Sequence, residues 1–455
     1  MKTGELECAV KLFSRRIEAT RLDRERVEAI CRRETQRVKE WGRLGSQLLL
    51  FRGRGGAGKT VNLLRVAHHL YQEKRARVLI LTYNKALVAD IARLFAIMGI
   101  RDGLETQRIS IQQIQSYVSE LLRALGHAPG NDFLDNYEGR YLPMVLEYAS
   151  PAAQPAGLGV PEVMSWDYVM VDEAQDCRPG EVDLVFRMFP SERIVLADGM
   201  DQLVRSTHHT DWLAACKSGQ YQSVYLRPLL RMKHGIYRFV ISMASHLGIE
   251  DWDVEPNRDA YGGRVVIVEG DYWGDPELHN GVMKSNRDDG NEPIDMLFCV
   301  PPSLVVVDEL GTRRSHLAAK LREREQLVWD GVDERVRDSF PTDVKQIRVV
   351  QFDSCRGLEG WVVVCLGLDA FYDYKLSKLQ AVPQVERGLY VSEEEWVRDA
   401  AARWLMIPLT RALDTLVLQV DSADSYIGQA LKAAAEECPD VTEWRVIDQR
   451  TRPAS

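Results

Sequence analysis

Leu48-Leu49-Leu50-Phe51 leads, after Arg52, into Gly53-Arg54-Gly55-Gly56-Ala57-Gly58-Lys59-Thr60, followed by the apolar-periodic stretch Val61 to Tyr71. A four-residue apolar run reads as a buried strand, and the 3.6-residue periodicity after it reads as a helix. Between them stands GxxxxGK[ST], the pattern of a phosphate-binding loop. Phosphate oxygens must approach backbone N–H groups, and glycine leaves the room and tolerates the dihedral angles. The helix opening at Thr60 and Val61 points its partial positive end at the same phosphates. Gly53, Gly55, Gly56, Ala57 and Gly58 thus form a cradle, Lys59 brings a point charge to the β- and γ-phosphates, and Thr60 brings a hydroxyl to Mg²⁺. The expected cofactors are ATP and Mg²⁺.

Working outward, Arg77-Val78-Leu79-Ile80-Leu81 is a second buried strand, and residues 86–98 are helical again. Strand, loop, helix and strand in alternation imply a parallel α/β sheet. Residues 118–165 lose that rhythm and read as a short helical insertion. Tyr168–Val171 and Arg193–Leu196 resume the strands. After about residue 220 the pattern restarts, with strands expected at Arg264–Val268, Met296–Val300, Arg348–Phe352, Val362–Leu366 and Thr415–Val420, and a helix over Ser315–Trp329. Upstream, residues 1–40 hold eleven Lys or Arg and eight Asp or Glu, interleaved as on a solvated helical face. The tail from 424 holds one helix and ends polar.

The chain has 455 residues, 45% hydrophobic and 27% charged, which excludes a disordered, collagen-like or disulfide-stapled protein. Its 58 basic and 67 acidic residues give a net charge of −9, which speaks against a simple DNA-coating protein. Eight cysteines are scattered without a CxxC pair, as reduced thiols of a cytoplasmic protein would be, and lack the spacing of a zinc site. No run of about 18 apolar residues is present, so no membrane span is expected.

A second cluster of chemistry follows the strand at 168–171: Asp172-Glu173-Ala174-Gln175-Asp176. Two adjacent carboxylates at a strand end divide two tasks, Asp172 in the Mg²⁺ shell and Glu173 orienting and deprotonating a water. DEAQD resembles motif II of superfamily 1 helicases of the UvrD/Rep type, and further segments match that set in the same order. Leu81-Thr82-Tyr83-Asn84-Lys85-Ala86-Leu87 is similar to motif Ia, which implies nucleic-acid contacts by Thr82, Tyr83 and Asn84. Gln202 resembles the motif III glutamine that senses the γ-phosphate, and Arg231 the motif IV arginine. Ser354-Cys355-Arg356-Gly357-Leu358-Glu359-Gly360 is similar to motif V, placing Arg356 toward nucleic acid and Glu359 toward the nucleotide. Leu409-Thr410-Arg411-Ala412 is similar to motif VI. Gln36 stands where an adenine-reading glutamine is expected. The resemblance spans about residues 36–420. It implies an α/β fold of two RecA-like parallel-sheet P-loop domains in tandem, with an N-terminal helical segment and small helical insertions.

The implied organisation is a charged helical segment at 1–40, a first RecA-like domain at 41–218, a second at 219–423 and a C-terminal tail at 424–455. ATP would sit between the two domains, with Lys59, Asp172, Glu173 and Gln202 from one and Arg231 and Arg411 from the other acting on the γ-phosphate. The implied activity is ATP-dependent translocation on single-stranded or partly duplex DNA, 3′ to 5′, with RNA open beside DNA. Three features depart from the family. Asp198 precedes Gln202 by four residues, where three is usual. No base-stacking aromatic follows Gln202 before Trp212, which reads more readily as core. The large accessory insertions are missing, and residues 371–398, with Tyr372, Tyr374, Lys375, Lys378 and Glu393-Glu394-Glu395, read as an extra surface loop plus helix. The reduced size raises the expectation of a partner, a nuclease or another protein, in DNA repair or anti-phage defence. The alternative is a regulatory or sensor P-loop ATPase subunit with little or no unwinding.

Overall fold

The computed structural model describes residues 18–31, 41–100, 109–149, 163, 165–199, 210–217, 219–309, 311–337, 339–381 and 392–447. Gln36 and Gln202 lie outside them. The chain divides into two compact units. The first comprises the described residues of Val27–Phe95 and Gly99–Arg227, and the second those of Met1–Arg26, Ala96–Met98 and Pro228–Ser455.

The first unit is built on six strands: β1 (Leu48–Gly53), β2 (Val78–Thr82), β3 (Ile109–Gln113), β4 (Tyr168–Val171), β5 (Ile194–Gly199) and β6 (Tyr221–Leu226). They lie in the order β3-β2-β4-β5-β1-β6, and every pair is parallel. The runs LLLF, VLILT and YVMV are buried end to end, as strands covered on both faces must be. The glycine-rich loop at 53–60 follows β1 and the DEAQD segment follows β4. One strand, β5, separates them, so both loops emerge at the carboxyl edge of one sheet. The expected insertion contains the helices Ile114–Ala124 and Leu142–Tyr148, joined through a π-helical turn at Tyr137–Tyr141. It packs into the apolar core beneath the sheet through Tyr117, Leu121, Tyr137 and Val145.

The second unit carries seven strands in one all-parallel sheet: β7 (Arg264–Gly270), β8 (Met296–Val300), β11 (Val328–Asp330), β12 (Ile347–Gln351), β13 (Gly360–Cys365), β14 (Ala412–Val420) and β15 (Thr442–Ile447). Their order is β11-β12-β8-β13-β14-β7-β15. A separate antiparallel pair, β9 (Val305–Val307) and β10 (Arg313–Ser315), follows β8. The fold class is therefore α/β, two parallel-sheet units consistent with RecA-like domains in tandem.

Three details differ from the sequence expectation. The helix expected over Ser315–Trp329 spans only His316–Glu323, and Val328–Asp330 turns back into the edge of the sheet as β11. Of the expected loop and helix at 371–398, the described residues fall almost wholly in two helices, Leu368–Gln380 and Glu393–Leu409, that pack on one another. Tyr372 and Lys375 are buried there, so those two are not surface groups. Finally, Tyr426–Glu437 is a helix and the residues after it form β15, the outermost strand beside β7.

The start of the Arg21–Cys31 helix is seated on the second unit. Thr20 caps it: its hydroxyl accepts from the Asp23 amide and donates to Asp295 at 2.8 Å. Leu22 joins the core of the sheet, and the Arg21 guanidinium lies 4.6 Å from the Trp361 ring centroid.

Candidate nucleotide site

The P-loop takes its shape from two left-handed glycines, Gly56 (φ 81°) and Gly58 (φ 77°), the second capping the Lys59–Lys74 helix. Side chains there would cost strain, which glycine avoids. Gly53 is fixed by space: a Cβ would stand 2.7 Å from the Leu226 carbonyl oxygen on β6. Within the loop the Ala57 amide donates to the Arg54 carbonyl, and Lys59 Nζ donates to the same oxygen at 3.0 Å. The lysine ammonium is thus folded over the loop that the phosphates would enter. Val61 is buried behind it in the helix.

DEAQD meets this loop through Thr60. Its hydroxyl donates to Asp172 Oδ2 at 2.8 Å, joining two segments 112 residues apart. Asp172 is 1% exposed. Burial, then the neighbouring Glu173 charge, push its carboxyl up to about 7, against the pull of the Thr60 hydroxyl and the Lys59 ammonium. The backbone turns sharply at the next residue: Glu173 has φ 54°, one of three non-glycine residues at positive φ among the described residues. Such a conformation is strained and persists where its surroundings enforce it. Here the Glu173 amide donates to Asp172 Oδ1 at 2.9 Å.

Sequence reading passed over a residue of the same segment. Gln175 is fully buried. Its amide nitrogen donates to Glu173 Oε2 at 2.7 Å, and its amide oxygen accepts from the Gly199 backbone at the end of β5 at 2.6 Å. Glu173 is thereby aimed by a neighbour two residues on, itself anchored to the adjacent strand. No spacing in the sequence marked it: Gln175 sits in a single 3₁₀ turn, Ala174–Asp176, which only the structure shows. Asp198, also on β5, pairs with Arg52 of β1 at 3.2 Å.

A hydroxyl and a buried carboxylate in contact are hard oxygen donors, and the upward push on Asp172 is what a cation beside it would relieve. Thr60 and Asp172 therefore fit Mg²⁺, an ion held by few protein groups together with phosphate oxygens.

The other expected nucleic-acid residues around β2 are enclosed to different degrees. Thr82 and Asn84 are buried, and Asn84 Oδ1 accepts from the Ala86 amide at the start of the Lys85–Ile97 helix. Tyr83 is half-buried, and its carbonyl accepts from Gln113. Trp212 is a core residue. It is 2% exposed, packs against Phe186 and donates through its indole nitrogen to the Ala174 carbonyl at 2.8 Å.

In the second unit, Arg231 and Glu359 form an ion pair, and Arg26 Nε stands 3.8 Å from the same carboxylate. Arg411 is buried, its Nε donating to the Ile407 carbonyl at 3.0 Å and its Nη2 to Thr410 Oγ1 at 2.9 Å. The Gly360 amide donates to the Arg411 carbonyl at 3.1 Å, which joins the segments 354–360 and 409–412 directly. Arg356 is completely enclosed.

Among the described residues, no helix is long and apolar enough to cross a membrane. No protein-family description matches the chain, and no curated protein matches it. Among solved structures it is similar to the arterivirus nonstructural protein 10 (helicase), at 12% identity and a TM-score of 0.36, over 87% of this chain. The chain spans 64% of the length of that protein.

Proposed function

We propose that this chain is a Mg²⁺-dependent ATP hydrolase of superfamily 1, UvrD/Rep type, that moves along single-stranded DNA in the 3′-to-5′ direction. The observation that carries the reading is the junction of Thr60 and Asp172, with Glu173 held beside it by Gln175. Phosphate cradle, cation ligands and a positioned carboxylate are the parts that phosphoryl transfer to water requires. The cradle and Lys59 bind and orient the triphosphate. Thr60 and Asp172 would hold Mg²⁺, which neutralises charge on the phosphate oxygens when bound. Glu173 orients the attacking water and accepts its proton, and the Gln175 amide fixes the carboxylate that does so. The ordered match of RGLEG and LTRA supports assigning Glu359, Arg231 and Arg411 to the same cycle.

A second reading is a regulatory ATPase subunit that grips nucleic acid weakly and needs a protein partner. Two observations favour it: Trp212 is core and Arg356 is enclosed. Stacking contributes about 1–3 kcal/mol per base to sequence-tolerant strand binding, so losing a platform weakens the grip. A forked-duplex assay beside a translocation assay separates the readings. Movement along single strands supports the motor. ATP hydrolysis that responds to a protein and never to nucleic acid supports the regulator.

A further inference from the structure

One buried cation takes no part in the chemistry proposed above. Lys375, on the Leu368–Gln380 helix, is 7% exposed. Its ammonium stands 2.7 Å from Asp353 Oδ1 and 3.3 Å from the centroid of the Trp404 ring, with the Phe371 and Tyr374 rings at 5.4 and 5.8 Å. Burial pushes its pKa down, against the pull of Asp353. Only the lysine is buried: the Asp353 side chain is 38% exposed, so water screens their attraction, while cation–π contact offsets part of the lysine's desolvation. Stability alone is a weak reason for a lysine at this place.

Its neighbours supply a better one. Asp353 is the residue before the 354–360 segment, and Phe352 stacks on Phe371 at 4.3 Å. Trp404 lies on the Glu393–Leu409 helix, whose end carries Thr410 and Arg411. The far end of the segment returns to the same place, because the Gly360 amide donates to the Arg411 carbonyl. Chain and contacts close a ring: Asp353, Lys375, Trp404, the helix, Arg411, Gly360 and back along Glu359 and Arg356 to Asp353.

We infer that Lys375 is a positioning residue that fixes the entry of the Arg356–Glu359 loop against the helix presenting Arg411. It touches neither substrate nor reacting atoms. It acts through the loop on Glu359, with its partner Arg231, and through Trp404 on Arg411. The functional half of this inference rests on the ATPase reading, and the structural half does not.

The test uses full-length Lys375→Met, Asp353→Asn and Lys375→Arg. Hydrogen exchange is followed at the Leu358 and Gly360 amides, which donate to the Cys355 and Arg411 carbonyls, with β8 as the internal reference. Lys375→Met and Asp353→Asn are expected to speed exchange at both loop amides about tenfold with β8 unchanged, and Lys375→Arg is expected to restore most of the protection. In DNA-stimulated hydrolysis the first two variants are expected to lose about tenfold in kcat with KM for ATP within about twofold of the parent. Uniform loosening of the second unit, with loop amides no worse than β8 and kcat kept, makes Lys375 a purely structural residue and overturns the inference. A parent protein that hydrolyses no ATP sinks the ATPase reading instead, and the exchange arm still decides the positioning role.

Discussion

Gln175→Met replaces the buried amide with an unbranched side chain of similar length. The native amide makes two short bonds, to Glu173 Oε2 at 2.7 Å and from Gly199 at 2.6 Å, at a site with no exposure. The variant keeps the volume and removes both. A buried backbone donor that loses its acceptor costs about 1–3 kcal/mol, and a hydrogen bond to a charged group contributes about 1.5–3 kcal/mol. Part of that returns as apolar burial, so a net loss of about 2–4 kcal/mol is expected in the first unit. Urea unfolding of parent and variant measures it as a lower midpoint at an unchanged slope. The catalytic effect is separate. Glu173 needs Gln175 only to aim its carboxylate, so kcat is expected to fall about 100-fold while KM for ATP changes little. A variant with the parent's midpoint and the parent's kcat would show that neither bond matters to stability or to catalysis.

Other outcomes follow from single residues. Asp295 is pushed from 3.8 up to about 6 by burial, against the Glu292 amide, the Thr20 hydroxyl and Arg348, with the Asp23 charge adding to the rise. The folded state then holds this proton more tightly than the unfolded one, so stability falls as pH rises from about 4 through about 6, by up to about 3 kcal/mol. Asp295→Asn should flatten that part of a stability–pH curve. His279 has the opposite sign: burial lowers it from 6.5 to about 4, so its contribution is present above pH 6.5 and is lost as pH falls toward 4, up to about 3 kcal/mol. His279→Leu should remove this acid limb in the same measurement. Gly53→Ala should destabilise the first unit by about 1–3 kcal/mol and weaken nucleotide binding in calorimetry, because its Cβ would meet the Leu226 carbonyl oxygen at 2.7 Å.

What was legible in the sequence divides along the sheets. Each of the nine interior strands showed as an apolar run, such as Val78–Leu81 or Met296–Val300, because a strand in a two-face-covered parallel sheet buries every side chain. Four of the strands that escaped, β3, β6, β11 and β15, are the edges of the two parallel sheets, and the other two, β9 and β10, form the short antiparallel pair. An edge strand is partly exposed and carries polar residues, as in Tyr221-Gln222-Ser223-Val224-Tyr225 or Thr442-Glu443-Trp444-Arg445, so no continuous run marks it. At β11 the apolar spacing of the preceding helix ran on into the strand and hid its start. The candidate site divides in a similar way. Lys59, Thr60, Asp172 and Glu173 sit in segments whose spacing matches what phosphate and cation chemistry would require. Gln175 and Lys375 act through side-chain geometry alone. A glutamine in an acidic turn carries no spacing that singles it out, and a lysine on a helix among Asp and Tyr reads as a surface group; the packing places both in the interior.

In the proposed function this chain couples ATP hydrolysis at the Thr60–Asp172 junction to single-stranded nucleic acid. Steady-state ATPase activity of the full chain, with and without single-stranded DNA, tests it most directly, with Lys59→Ala and Glu173→Gln alongside. Mg²⁺-dependent hydrolysis is expected to rise about tenfold or more with the strand and to be abolished in both variants, because the charge that stabilises the transition state and the water-positioning carboxylate are lost. Hydrolysis that persists in either variant, or that ignores the strand throughout, would contradict that function.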